Sequence, residues 1–143
     1  MTQRVLILCT GNSARSQMAE GLLRHLAGDR FDVFSAGTRP SVVNPLAIQV
    51  MAERGLDISH HRSKHMDEFR QEPFDYVITV CDDAAEACPV FPGRAERIHW
   101  SFPDPAAVDG DDSVRQQSFR ETRDGIETRL REWLIEHDVT PVG

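Results

Sequence analysis

Val5-Leu6-Ile7-Leu8-Cys9-Thr10-Gly11-Asn12-Ser13-Ala14-Arg15-Ser16 is the stretch from which the fold can be read. Its first four residues are a continuous apolar run with β-branched members, the pattern of a strand buried on both faces in a parallel sheet. Thr10-Gly11-Asn12-Ser13 is turn-forming and ends that run. From Ser16 the spacing becomes helical: Met18, Ala19, Leu22, Leu23 and Leu26 recur every three or four residues, and Gly28 closes the segment. A strand, a tight loop and a helix in that order make a βα unit.

Working outward, the rest of the chain repeats the alternation. Phe31 to Ala36 reads as a second short strand stopped by Gly37. Asn44-Pro45 supplies an N-cap and a proline at the first helical position of a helix containing Ala47, Ile48, Met51 and Ala52, which ends at Gly55. A helical turn at Met66 to Phe69 leads into Tyr76-Val77-Ile78-Thr79-Val80, the clearest strand, and Ile98-His99-Trp100 ends a fourth. Ser113 with Gln116 has the form of a capping box, and the helix after it carries Phe119, Ile126, Leu130, Trp133 and Leu134 toward a core. The expectation is an α/β sandwich, residues 1–143 as one domain, with a four-stranded, mostly parallel sheet flanked by helices. In such folds a ligand sits at the carboxyl ends of the strands, near the point where strand order reverses.

Composition narrows the function. Of 143 residues, 40% are hydrophobic and 27% charged, a globular balance. Sixteen Lys and Arg stand against 23 Asp and Glu, and a net charge of −7 argues against sequence-independent nucleic-acid binding. No apolar run approaches the roughly 18 residues of a membrane span, and the first run is too short for a signal peptide, so a cytoplasmic, monomeric protein is expected. The three cysteines are an odd number in a chain that is large enough to fold without disulfides, which directs attention to their chemistry.

Cys9 to Ser16 occupies the ligand position of the fold. Unpaired N–H groups and the positive end of the helix dipole favour a thiolate at Cys9. Backbone amides from Thr10, Gly11, Asn12, Ser13, Ala14, Arg15 and Ser16 can wrap a tetrahedral oxyanion, with Gly11 allowing a backbone conformation other residues resist. Arg15 adds a planar fork matched to two oxygens, and Ser16 a hydrogen bond to the sulfur. No Gly-x4-Gly-Lys pattern is present, so the loop is not a nucleotide loop of that type. Displacement at an oxyanion also needs an acid, for which Asp104 is the candidate. Prolines flank it, and Phe102 is placed to shield its carboxyl from water, although Asp-Pro also simply initiates turns. For Cys81 and Cys88 the residues alone leave three readings: buried structural thiols, a zinc site short of ligands, or a redox pair.

Beyond the residues themselves, Cys9-x5-Arg15-Ser16 resembles the phosphate loop of low-molecular-weight protein tyrosine phosphatases, and the longer string Cys9 to Gly21 is similar to that of the thioredoxin-coupled arsenate reductases sharing their fold. Ser35-Ala36-Gly37, Asn44-Pro45, Thr79-x-Cys81, Cys88-Pro89, His99-Trp100 and Asp104-Pro105-Ala106 extend the resemblance along nearly the whole chain. It implies Cys9 as nucleophile, Arg15 as oxyanion ligand, Asp104 as general acid, and Cys81 and Cys88 as a disulfide shuttle. The implied substrate is arsenate, with phosphate or sulfate competing. No tightly bound cofactor is implied, and thioredoxin supplies the reducing equivalents. Two other outcomes stay open: a tyrosine phosphatase working through phosphocysteine, and a reductase fed by glutathione and glutaredoxin. The chain departs from the pattern at Ala14, where many relatives carry cysteine. It departs again at Lys64, where relatives that bind potassium through counterparts of Asn12, Glu20 and Ser35 place an acidic residue. The expectation is that the Lys64 ammonium takes the cation's place. The run His60 to His65 is expected to be an exposed polar loop with no metal, and His99 and Trp100 to pack beside the acid loop.

Overall fold

The computed structural model describes residues 2–82 and 95–142. Strands β1 (Gln3–Cys9), β2 (Phe31–Gly37), β3 (Tyr76–Thr79) and β4 (Glu96–His99) form one sheet in the order β2-β1-β3-β4, with every neighbouring pair parallel. Helices α1 (Arg15–Ala27), α2 (Pro45–Ala52) and α3 (Asp112–Glu136) pack on one another, and α1 also packs on β1 and β2. The fold is therefore the expected α/β class. From β1 the chain moves to β2 on one side, then crosses to β3 on the other, so strand order reverses beside the carboxyl end of β1.

The apolar run that opened the reading is central. Val5, Leu6, Ile7 and Leu8 are fully buried, covered on both sheet faces as continuous apolar strands require. The helical stripes close over them: Met18, Ala19, Leu22, Leu23 and Leu26 from α1, and Phe119, Ile126, Leu130, Trp133 and Leu134 from α3. Truncating any one large side chain here to alanine would cost about 2–5 kcal/mol. Edge strand β4 is mostly exposed, which is why hydrophobic pattern located it least well.

Three boundaries correct the sequence reading. Helix α1 begins at Arg15, one residue earlier than its apolar period, and β3 ends at Thr79, so Val80 and Cys81 lie beyond the strand. Helix α3 is capped by Asp111, whose side chain accepts from the Val114 amide at 3.0 Å, not by Ser113. The expected N-cap Asn44 does accept from the Leu46 amide at 2.9 Å, with Pro45 starting α2.

Candidate active site

The loop between β1 and α1 is held from behind by its own carbonyls. Thr38, Arg39, Ser41 and Asn44 donate their backbone N–H groups to the carbonyls of Cys9, Thr10, Gly11 and Ser13 at 3.3, 2.8, 3.2 and 2.9 Å. The Asn12 carbonyl accepts from Gln17 Nε2 at 3.1 Å and that of Ala14 from the Met18 amide at 2.9 Å. With the carbonyls spoken for, the amides of Gly11, Asn12, Ser13 and Ala14 donate to no acceptor among the described residues. Helix α1 also starts without a side-chain cap, since Ala14 occupies that position. Orphan donors and an uncapped helix dipole converge where an anion would complete them.

One expectation about this loop fails. The left-handed backbone conformation belongs to Asn12, at φ 44°, and not to Gly11. Asparagine tolerates that region better than most residues, and here its side chain is fully engaged. The glycine that sterics demand is Gly37, at the end of β2, where a Cβ would stand 2.5 Å from the Thr10 carbonyl oxygen.

Beneath the loop lies Cys9, buried, with its sulfur 2.8 Å from Ser16 Oγ. The sulfur and the hydroxyl are each able to donate in that bond. Asn12 Nδ2 donates to Ser16 Oγ at 2.8 Å and to Ser35 Oγ at 2.9 Å, while Ser35 donates to Glu20 Oε1 at 2.6 Å. Ser16 keeps its own proton available to the sulfur, and where it donates there it favours a thiolate. Asn12, Glu20 and Ser35 thus meet as the resemblance implied.

Above the sulfur is a cavity of about 290 Å³ lined by Cys9, Thr10, Gly11, Ser13, Ala14, Arg15, Asp104 and Ala106. The acid loop and the oxyanion loop face each other across it. Arg15 Nη1 donates to the Phe102 carbonyl at 2.9 Å, tying the two loops together. Asp104 is exposed and also makes the turn, accepting from the Ala106 amide at 3.0 Å. Because Asp104 is exposed, Phe102 does not shield its carboxyl from water as expected. Cys81, buried just past β3, has its sulfur 3.2 Å from Thr10 Oγ1, so a second thiol touches the oxyanion loop. Neither Cys9 nor Cys81 is in a disulfide. Cys88 lies outside the described residues.

A polar layer supports the loop, and the sequence reading missed most of it. Gln17 is fully buried and donates to Asn12 Oδ1 at 2.9 Å and to the Arg62 carbonyl at 3.0 Å. With its amide nitrogen so used, its oxygen accepts from His61 Nδ1 at 2.9 Å, which fixes the tautomer of that ring. Ser63 donates to the Gly11 carbonyl at 2.8 Å, and the Lys64 amide to Asn12 Oδ1 at 3.0 Å. The run from His60 to His65 is thus a buttress, correcting its reading as a merely exposed loop. Lys64 Nζ stands 3.9 Å from Glu20 Oε1 and donates to the Arg62 carbonyl at 3.2 Å. Burial lowers the affinity of Lys64 and of His61 for a proton, opposed in both by the Glu20 carboxylate. Gln17 and Glu20 lie on the side of α1 away from its apolar stripe, so the hydrophobic period holds no sign that both are buried. Among the described residues, no group of three or more His, Cys, Asp or Glu side chains gathers to hold a metal ion. Nor is any helix there long and apolar enough to cross a membrane.

A buried thiol beneath a ring of unpartnered amides, at the switch point of a parallel sheet and facing a carboxyl group, is the arrangement of a class of cysteine enzymes acting on tetrahedral oxyanions. Residues 4–140 match the model of the low molecular weight phosphotyrosine protein phosphatase family, and the chain belongs to that family. It is 45% identical over 132 residues to an arsenate reductase of Halalkalibacterium halodurans, covering 92% of this chain and 95% of the relative. Its fold is similar to a thioredoxin-dependent arsenate reductase of Corynebacterium glutamicum, with a TM-score of 0.71 and 34% identity over 94% of this chain and 61% of that one. An arsenate reductase in its phosphate-binding state gives a TM-score of 0.71 at 29% identity, covering 94% of this chain and 98% of the other.

Proposed function

We propose that this protein reduces arsenate to arsenite, with Cys9 as nucleophile, Cys81 as the second thiol and Cys88 as the third. The observation that carries the reading is the Cys81 sulfur 3.2 Å from Thr10 Oγ1, a second thiol attached to the oxyanion loop. Ester hydrolysis through Cys9, Arg15 and Asp104 has no use for it. The identity to curated arsenate reductases supports the same reading, as does a cavity with no aromatic side chain among the described residues that line it.

The chemistry balances with these groups. Arsenate binds to the loop amides and Arg15, and the Cys9 thiolate attacks arsenic while Asp104 protonates the departing oxygen, which leaves as water. The Cys81 thiolate then attacks the Cys9 sulfur. A sulfur–sulfur bond forms, the sulfur–arsenic bond breaks, and its electron pair stays on arsenic, which departs as arsenite. Cys88 next attacks Cys81, freeing Cys9, and thioredoxin reduces the Cys81–Cys88 disulfide by thiol exchange. Phosphate and sulfate compete for the same loop. The Lys64 ammonium, close to Glu20, supplies the positive charge behind the loop that a bound cation would otherwise provide.

Arsenate turnover is to be measured with separate thioredoxin and glutaredoxin systems for the wild type, Cys81→Ser and Cys88→Ser. The wild type turns over with thioredoxin, Cys81→Ser releases no arsenite, and Cys88→Ser stops after one turnover. Undiminished multiple turnover by Cys88→Ser with thioredoxin would remove the relay, and turnover with glutaredoxin alone would replace the electron donor. A slow hydrolysis of small aryl phosphates is expected in all three, because Cys9, Arg15 and Asp104 suffice for it.

A further inference from the structure

Thr79, His99 and Asp82 form a hydrogen-bonded chain around Cys81 that the steps above leave unused. His99 Nδ1 lies 2.7 Å from Thr79 Oγ1 and His99 Nε2 lies 2.9 Å from Asp82 Oδ1. An ionised carboxylate only accepts, so Nε2 carries the proton, and in the neutral ring Nδ1 accepts from the threonine hydroxyl. The ring has one orientation. Thr79 precedes Cys81 by two residues and Asp82 follows it by one, so a single imidazole grips the chain on both sides of the thiol.

The place where this happens matters. Thr79 is the last residue of β3 and pairs with His99, the last of β4. Past this pair the backbone is held through Val80, which donates to the Leu8 carbonyl at 2.9 Å and accepts from the Phe102 amide at 3.3 Å, and Cys81 follows directly, its sulfur against the loop through Thr10. The ion pair is an unpromising source of stability, since 40% of the His99 side chain and 75% of that of Asp82 are exposed. Its geometric effect is larger, because a thiol displaced by about 1 Å from its line of attack loses about 100-fold in rate.

We propose that His99, braced between Thr79 and Asp82, is a positioning residue that aims the Cys81 thiol at the Cys9 sulfur. The proposal rests on Cys81 being the second thiol of the reductase. It touches neither arsenate nor the oxyanion loop and acts only on the disulfide-forming step.

The test uses single-turnover arsenite release without thioredoxin, alongside aryl phosphate hydrolysis by the same preparations. Asp82→Ala removes the acceptor, and His99→Asn keeps an acceptor oxygen near Thr79 but falls short of Asp82. Each is expected to slow arsenite release by about 3- to 10-fold, with arsenate affinity and aryl phosphate hydrolysis within about twofold of wild type. Asp82→Asn retains an acceptor oxygen and restores the rate, and the double variant Asp82→Ala/His99→Asn is no slower than either single one. Equal losses in both activities would make the chain merely structural. Unchanged arsenite release in both single variants, or failure of Asp82→Asn to rescue, would overturn the proposal. Cys81→Ser in the same assay separates the two hypotheses. If it still releases arsenite, the reductase relay itself fails; if it does not while the brace variants are normal, only the brace fails.

Discussion

At Asn12 the backbone turns left-handed and every side-chain hydrogen-bonding group is engaged: Nδ2 on Ser16 and Ser35, Oδ1 on Gln17 and the Lys64 amide. Asn12→Ala strands buried partners and leaves, in a disfavoured backbone region, a Cβ with no local hydrogen bonding to offset it. We expect it to lower unfolding free energy by about 2–4 kcal/mol in urea titrations, and Asn12→Gly, which relieves the backbone, to recover about 1 kcal/mol of that. Loss of equal size in both would show that the backbone conformation contributes nothing. Cys9 and Arg15 could be read from their spacing together with the strand before them, the helix after them and Gly11-Asn12 between, because the separation is set by the size of an anion and the context by where an anion binds. The choice between Gly11 and Asn12 could not, since both residues tolerate the left-handed region and only the outward pull on the neighbouring carbonyls decides between them. Gln17, His61 and Ser63 were illegible for a related reason. The pairings of Gln17 with His61 and of Ser63 with Gly11 span 44 and 52 residues, and no local pattern reports such pairings.

Among the elements, the segment from His61 to Lys64 shows how an exposed-looking polar run becomes structural once α1 and the loop before it present acceptors and Gly37 of β2 a donor. Its titration offers a direct check. Burial holds His61 below its ordinary value of 6.5, against the pull of Glu20, so the unfolded chain binds a proton more readily than the folded one. Stability is then full above that ordinary value and declines as pH falls toward the folded one. Between about pH 8 and about pH 5.5 the thermal midpoint of the wild type should drop further than that of His61→Gln, which keeps a donor toward Gln17 but carries no titrating group. Equal drops would show that His61 is not responsible. Most of the elements themselves were legible, since their apolar periods are long. Their ends were less so: Asp111 and Ser113 are both good caps, and in a run of Gly, Asp and Ser only the register of α3 on the core selects one.

On the scale of the whole molecule, a net charge of −7 surrounds a site built to hold an anion. Long-range attraction does not gather the substrate, so capture rests on short-range donors in the loop and on Arg15. Inorganic phosphate at ten times its Kd should raise the thermal midpoint by about 4 °C, an effect that persists when sodium chloride is raised and vanishes in Arg15→Ala. A gain that collapses with modest salt would place the binding on the surface instead. Arg15 is committed before any anion arrives, however, by its bond to the Phe102 carbonyl, 87 residues away in sequence. A guanidinium has fixed angles between its arms, so an oxygen taken up by the free arm is set at a known bearing from the loop that bears Asp104. The side chain is a gauge as well as a charge: lysine at that position would keep the charge and lose the ruler that spaces acid from nucleophile.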